Sequence, residues 1–158
     1  MKVGSVQFAK AHSRATIPTR SNENAAGFDL YLLENYTIPV GNIRLLKTGI
    51  IAIPPLGFRF DLAIRSSAST KYGVMLANGQ GIIDSDYTGP NDQIYIPVYV
   101  PKDIFHGQFA TLKHIRLRRG DKIAQLILRQ DLVADIEEIP YDTLATRGSR
   151  GGFGSSDA

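Results

Sequence analysis

The chain has 158 residues, is 43% hydrophobic, and sets 18 Lys plus Arg against 15 Asp plus Glu for a formal net charge of +3. That is the size of one compact domain, which buries roughly two thirds of the surface its unfolded chain exposes and needs no disulfide or metal staple. The absence of cysteine excludes thiol nucleophiles, zinc ribbons, iron–sulfur clusters and disulfide scaffolds, and it makes a cytoplasmic location the default.

The first residues, MKVGSVQFAKAHSR, are broken by charge before a signal core can form, and no apolar run approaches the roughly 18 residues of a membrane span. A soluble, unprocessed chain is expected. Short runs rich in Val, Ile, Tyr and Phe, punctuated by 15 Gly and 8 Pro, predict a mostly β protein. Strands are predicted over 45–53 and over 58–64, where Phe58, Phe60, Leu62 and Ile64 alternate with Arg59, Asp61 and Ala63. Residues 67–72 predict a two-turn helix, with a Ser able to cap its start and Gly73 able to end it. Asn78-Gly79 predicts a hairpin. Residues 93–100 alternate again, and Pro97 assigns that strand to an edge or a bulge. Strands over 115–117 and 122–128 complete a sandwich or barrel of jelly-roll type. The division expected is a β domain over 1–139 and a Gly-rich arm over 140–158.

Several patterns carry chemistry only weakly when taken singly. Asp84-Ser85-Asp86-Tyr87 after Gly79-Gln80-Gly81-Ile82-Ile83 puts two carboxylates and a phenol at a hairpin base, yet Asp and Ser also populate ordinary turns. Arg65-Ser66-Ser67 suits an anion, or is a capped helix start beside a solvated Arg. Gln125 is one amide in an otherwise apolar strand, aimed at a ligand oxygen or satisfied within the core. The tail with Phe153 is a flexible linker on composition, or a lid whose aromatic closes over a base. His12, His106 and His114 are not at metal-ligand spacing, and no Gly-x-x-x-x-Gly-Lys loop is present.

In order along the chain, Ala26-Gly27-Phe28-Asp29-Leu30, Arg65-Ser66-Ser67, Gly81-Ile82-Ile83-Asp84-Ser85-Asp86-Tyr87-Thr88-Gly89, Gly120-Asp121-Lys122-Ile123-Ala124-Gln125-Leu126-Ile127 and the tail from Arg147 resemble the five motifs of trimeric dUTPases. The resemblance implies a jelly-roll homotrimer that splits dUTP into dUMP and pyrophosphate, limiting uracil incorporation into DNA and supplying dUMP for thymidylate synthesis. Each site would lie between subunits and be closed by a neighbour's arm. By the same resemblance Asp84 is the catalytic carboxylate that activates a water. Arg65, Ser66, Ser67 and Gln125 attend the phosphates, and Arg147, Gly154 and Ser155 attend the γ-phosphate. Asn78, Gly81 and Ile83 frame the uracil, Tyr87 stacks on the sugar and Phe153 covers the base. Asp29, Asp86 and Asp121 support, and Mg2+ is held by the phosphates and waters rather than by protein ligands.

Four features depart from the family's pattern. Ser67 replaces a usual Gly, Lys122 replaces a usual Arg, Pro90-Asn91-Asp92 resembles an insertion, and a longer tail spacing makes Arg150 a competitor of Arg147. Trimeric dCTP deaminases share the fold but need a Glu on the strand after the third motif, and residues 91–100 hold none. A regulatory protein that keeps the nucleotide pocket and acts through a partner is the other reading. Nucleic-acid binding through 113–122 is disfavoured, because a solvated strand edge accounts for those charges.

Overall fold

The computed structural model describes residues 3–102 and 113–148. Eleven strands among them form four small sheets, in which every pairing is antiparallel. In chain order they are β1 (Gln7–Lys10), β2 (Gly27–Tyr31), β3 (Tyr36–Pro39), β4 (Ile43–Lys47), β5 (Ile50–Ile53), β6 (Phe58–Ile64), β7 (Met75–Leu76), β8 (Gly81–Ile83), β9 (Tyr95–Tyr99), β10 (His114–Leu117) and β11 (Lys122–Gln130). One helix, α1 (Ser66–Tyr72), follows β6 directly. The arrangement is the expected jelly-roll-like β fold with a single short helix. No helix among the described residues is long and apolar enough to cross a membrane.

The sheet that organises the molecule runs β2-β11-β6-β8. Alternation in β6 places Phe60 and Leu62 on its inner face, where they are fully buried with Leu30, Ile123 and Leu126. Opposite them the three-stranded sheet β4-β9-β7 contributes Leu46, Ile96 and Val98 to the same core. Phe8, Phe28 and Phe60 pack ring against ring, 5.5 to 6.4 Å between centroids.

Four local expectations are corrected. The strand holding Pro97 is not at an edge but lies between β4 and β7. In an antiparallel strand the N–H and C=O of one residue point to the same side. The Pro97 carbonyl accepts from Ala77 N at 2.8 Å, just past the end of the two-residue β7, so the missing N–H faces the point where that neighbour has stopped. The helix is not capped by a serine. Arg65 is the N-cap residue, in extended conformation and with no side-chain cap bond, while Gly73 ends the helix as expected at φ 65°. Nor is the Asn78-Gly79 segment a laddered hairpin, because β7 pairs with β9 whereas β8 pairs with β6. Residues 77–80 hand the chain from one sheet to the other, turning at Gly79 with φ 72°. The predicted strand over 45–53 is interrupted at Thr48 and Gly49 to give β4 and β5.

After β11 the chain leaves the core. Residues 131–140 have no regular structure, and Leu132, Val133 and Ile136 are 84%, 92% and 101% exposed. A single 3-10 turn follows at Tyr141–Leu144.

Candidate functional site

The register of the central sheet builds one cluster at the Arg65 end of β6. Gln125 of β11 lies between Asp29 of β2 and Ala63 of β6. Asp29 is buried and receives two cations, Arg65 Nε at 3.0 Å from Oδ1 and Lys122 Nζ at 3.3 Å from Oδ2. Arg65 also donates through Nη1 to the Lys122 carbonyl at 3.2 Å, so its guanidinium is fixed from two sides. A Cβ at Gly27 would stand 2.5 Å from Gln125 Oε1 and push the amide aside, so the glycine lets that amide lie across β2. Ser66 and Ser67 are exposed at the start of α1. Asp121 accepts from Arg118 N at 2.8 Å and from the Tyr72 hydroxyl at 3.3 Å. Arg65, Ser67, Lys71, Tyr72, Asp121 and Lys122 line a recess of about 320 Å³.

A second cleft, about 200 Å³, opens at the other end of β6. Ile83, Asp84 and Tyr87 line it with Ile82, Gln93, Ile94 and Tyr95. Asp84 is exposed, and its carbonyl accepts from Tyr87 N at 3.2 Å, which bends the segment so that carboxylate and phenol share one mouth. The Tyr87 hydroxyl donates to the Gln93 carbonyl at 3.3 Å. Burial, followed by the nearby Asp92 carboxylate and Tyr95, raises the Tyr87 phenol above its ordinary value and keeps it a neutral donor. Asp86 lies in the same turn and is exposed. Pro90-Asn91-Asp92 closes on itself, with Asp92 Oδ2 accepting from Gly89 N at 2.7 Å.

The two clefts do not meet. Ile83 pairs with Phe60 while Arg65 follows the far end of the strand, so five residue steps separate them, about 17 Å at the rise of an extended chain. Asn78 and Gly81 line neither; Asn78 is exposed in the turn, and Gly81 packs so closely that a Cβ would be 2.8 Å from that of Leu62. Arg147 is exposed after the 3-10 turn. Phe153, Gly154 and Ser155, and the competing Arg150, lie outside the described residues. Sequence reasoning did not find Gln93 and Tyr95, which only the fold brings beside Tyr87, nor the role of Lys122 as a second cation on Asp29. Among the described residues no group of three or more His, Asp or Glu side chains could hold a metal ion.

Fold and clefts together define an antiparallel β protein with a cationic recess of phosphate size and a separate aromatic, carboxylate-bearing slot, the equipment of a nucleotide-binding protein. The sequence profile of the dUTPase family matches residues 13–157. The deoxyuridine 5'-triphosphate nucleotidohydrolase of Candida albicans is 35% identical, over 98% of this chain and 91% of its own. Among solved structures, the dUTPase of Streptococcus mutans is 30% identical with a TM-score of 0.69, over 81% of this chain and 98% of that one. A mutant dUTPase of Staphylococcus bacteriophage 80alpha, solved with dUpNHpp, shares the fold at a TM-score of 0.77 and 22% identity, over 98% and 99% of the two chains. The chain belongs to the dUTPase family.

Proposed function

We propose that this chain hydrolyses dUTP to dUMP and pyrophosphate, as a homotrimer whose sites each combine the Asp84 slot of one subunit with the Arg65 recess of another. The single observation that carries the composite site is the separation of the two clefts by the length of β6. A carboxylate acting at the α-phosphorus and cations holding the same short phosphate chain cannot stand that far apart within one subunit, whereas symmetric association brings unlike patches of identical chains together. The exposed apolar residues of 131–140 favour the same reading, because a segment carrying Leu132, Val133 and Ile136 in solvent is suited to lie against a neighbour.

In this reading the Asp84 carboxylate orients a water and takes its proton as the water oxygen bonds to the α-phosphorus. The bond from that phosphorus to the bridging oxygen breaks, and pyrophosphate departs with the electron pair. General-base help of this kind supplies about 10²–10⁴ in rate, so most of the acceleration must come from stabilising phosphate charge. Arg65, held by Asp29, supplies it with Gln125, Ser66 and Ser67, and Arg147, Gly154 and Ser155 of the arm add to it at the γ-phosphate. Asp121 steadies the recess wall through Tyr72.

The base is read by backbone. Residues 77–80 are bonded within their own turn and to β9, while β8 pairs only with β6 and forms the outer strand of its sheet among the described residues, which leaves one edge of residues 81–83 to face a base. The Asn78 amide and the backbone of Gly81 and Ile83 can then match the N–H and two carbonyls of uracil, a pattern cytosine mispairs. Tyr87 packs on the sugar and leaves no space for a 2'-hydroxyl, and Phe153 covers the base. Mg2+ fits as an ion carried by the phosphates, with the exposed Asp84 and Asp86 carboxylates able to accept from its waters; bound there it would neutralise triphosphate charge. A cysteine-free chain acting on nucleotides suits the cytoplasm.

Pyrophosphate release from dUTP, dTTP, dCTP and UTP, with and without magnesium, tests the reading. Expected is turnover of dUTP alone, lost in Asp84→Asn and in a chain truncated before Arg147. Undiminished hydrolysis by both variants, or ammonia release from dCTP, overturns it.

A further inference from the structure

Beyond the recess at Arg65 the surface continues into another cleft, of about 340 Å³, lined by Lys71 and Tyr72 of α1, Arg116 of β10, and Arg118 and Asp121 of the turn that follows. Lys71, Tyr72 and Asp121 belong to both walls, so the two cavities are contiguous. We propose that this neighbouring cleft is a separate binding site for a small, highly charged anion of the condensed-phosphate class, inorganic pyrophosphate above all. The proposal rests on the reading of the Arg65 recess as the place where a triphosphate is split.

Charge is the first argument. Of the three cations that line the recess, Arg65 and Lys122 are committed to Asp29, and the third, Lys71, is shared with the neighbouring cleft. In the neighbouring cleft none of Lys71, Arg116 and Arg118 is ion-paired with a carboxylate among the described residues. The one acid there, Asp121, already accepts two hydrogen bonds at Oδ2, from Arg118 N and the Tyr72 hydroxyl. Across the β10 ladder the partner of Arg116 is Thr37, which is neutral. Three cations thus face one partly satisfied carboxylate, an excess that a multiply charged anion would neutralise with charge-assisted hydrogen bonds.

Rigidity and size are the second. Arg116 is carried by a paired strand, and the Arg118 backbone is tied to Asp121. Lys71 is held 4.9 Å over the Tyr72 ring. The cleft has room for a pyrophosphate with part of its hydration, given a water's share of about 30 Å³. It offers one aromatic ring, already covered by Lys71, whereas a single-stranded nucleic acid needs successive faces on which to stack its bases. Contiguity gives the site its use. An anion released in the recess meets unpaired cations one step outward, and an arriving triphosphate is drawn along the same path.

The experiment is calorimetric titration of inorganic pyrophosphate into the full chain in magnesium-free buffer. The parent is compared with Arg116→Gln/Arg118→Gln, with the Lys pair Arg116→Lys/Arg118→Lys, and with Arg65→Gln, each checked for an unchanged melting profile. Both Arg116 and Arg118 are exposed, so their loss leaves the core intact. Expected is a loss of at least about tenfold in pyrophosphate affinity for the Gln pair, with most of it retained by the Lys pair and by Arg65→Gln. Parent-like affinity in the Gln pair, loss confined to Arg65→Gln, no binding by the parent, or tighter binding of a single-stranded oligonucleotide than of pyrophosphate each overturns the inference. Failure of the hydrolytic reading is visible elsewhere, as dUTP left intact, and does not depend on this titration.

Discussion

Arg65 and Asp29, 36 positions apart in the chain, meet at 3.0 Å across the central sheet, and the pair stands where the cationic recess opens. The carboxylate is buried while the guanidinium reaches solvent, so the geometry fixes the direction of the cation rather than hiding it. Lys122 on the second carboxylate oxygen leaves Asp29 no freedom to turn away.

Asp29→Asn therefore acts through Arg65. Its side-chain partners are 30% and 37% exposed, which limits the stability loss to about 1 kcal/mol. Misdirecting the guanidinium costs more in function, a fall of about 10- to 100-fold in kcat/KM for dUTP. Steady-state kinetics beside a thermal melt separates the two effects. A variant as active as the parent would show that Arg65 needs no carboxylate to aim it.

Two clefts at opposite ends of β6 make a second expectation. Asp84→Asn and Arg65→Gln each inactivate, but each spoils a different half of the composite site. Unfolded and refolded together in equal amounts, they regain roughly a quarter of parental sites, those pairing an intact slot with an intact recess from the other variant. Pyrophosphate release before and after mixing measures this. A mixture as inactive as its components would place both halves within one subunit.

On the outer face of the same sheet, Asp61 is only 5% exposed, and it collects Gln80 Nε2 at 2.9 Å, Arg129 Nε at 3.1 Å and Arg59 Nε at 3.6 Å. Its Oδ1 has no hydrogen-bond partner, and Arg59 turns Nη1 to Asp131 at 2.9 Å. Removing the carboxylate strands Arg129, which can reach water, while Arg59 keeps its pair with Asp131. Asp61→Ala is expected to cost about 1–3 kcal/mol rather than the 3–5 of a fully buried pair. For a domain of this length each kcal/mol lowers Tm by about 2–4 °C. Adding Arg129→Ala to Asp61→Ala should cost less than the sum of the single changes, which urea melts of the three variants decide.

Much of this was legible in the residues. Phe58–Ile64 is observed as predicted because one of its faces is in the core and alternation records that directly. Pro97 misled because a lone proline reads as an edge, and nothing in the sequence announces that the adjoining strand is two residues long. Asn78-Gly79 misled for a related reason: the turn chemistry is real, but which sheet receives each arm is settled by long-range pairing. The site was legible as types of residue and not as places. Asp29, Arg65 and Lys122 converge only through the ladders of β2, β6 and β11, and the distance between the Asp84 slot and the Arg65 recess exists only once β6 is laid out as a strand.

Alkaline pH probes the junction of β3 with β4. The Tyr36 hydroxyl donates to Glu34 Oε1 at 2.9 Å and accepts from Lys47 N at 2.8 Å, joining β3 to the end of β4. Burial pushes its phenol up to about 12, opposed by the Lys47 backbone bond and reinforced by the Glu34 carboxylate. In the unfolded chain the phenol titrates near 10. Between those values the unfolded state has released its proton while the folded state keeps it, so the stabilisation is complete below about pH 10 and falls away as pH rises toward 12. The loss over that window is about 2–3 kcal/mol, and Tyr36→Phe should flatten it while lowering neutral-pH stability by about 1 kcal/mol through the lost hydrogen bonds. Urea unfolding at pH 8, 10 and 11.5 measures both slopes. Equal slopes in parent and variant would mean that another group governs alkaline unfolding.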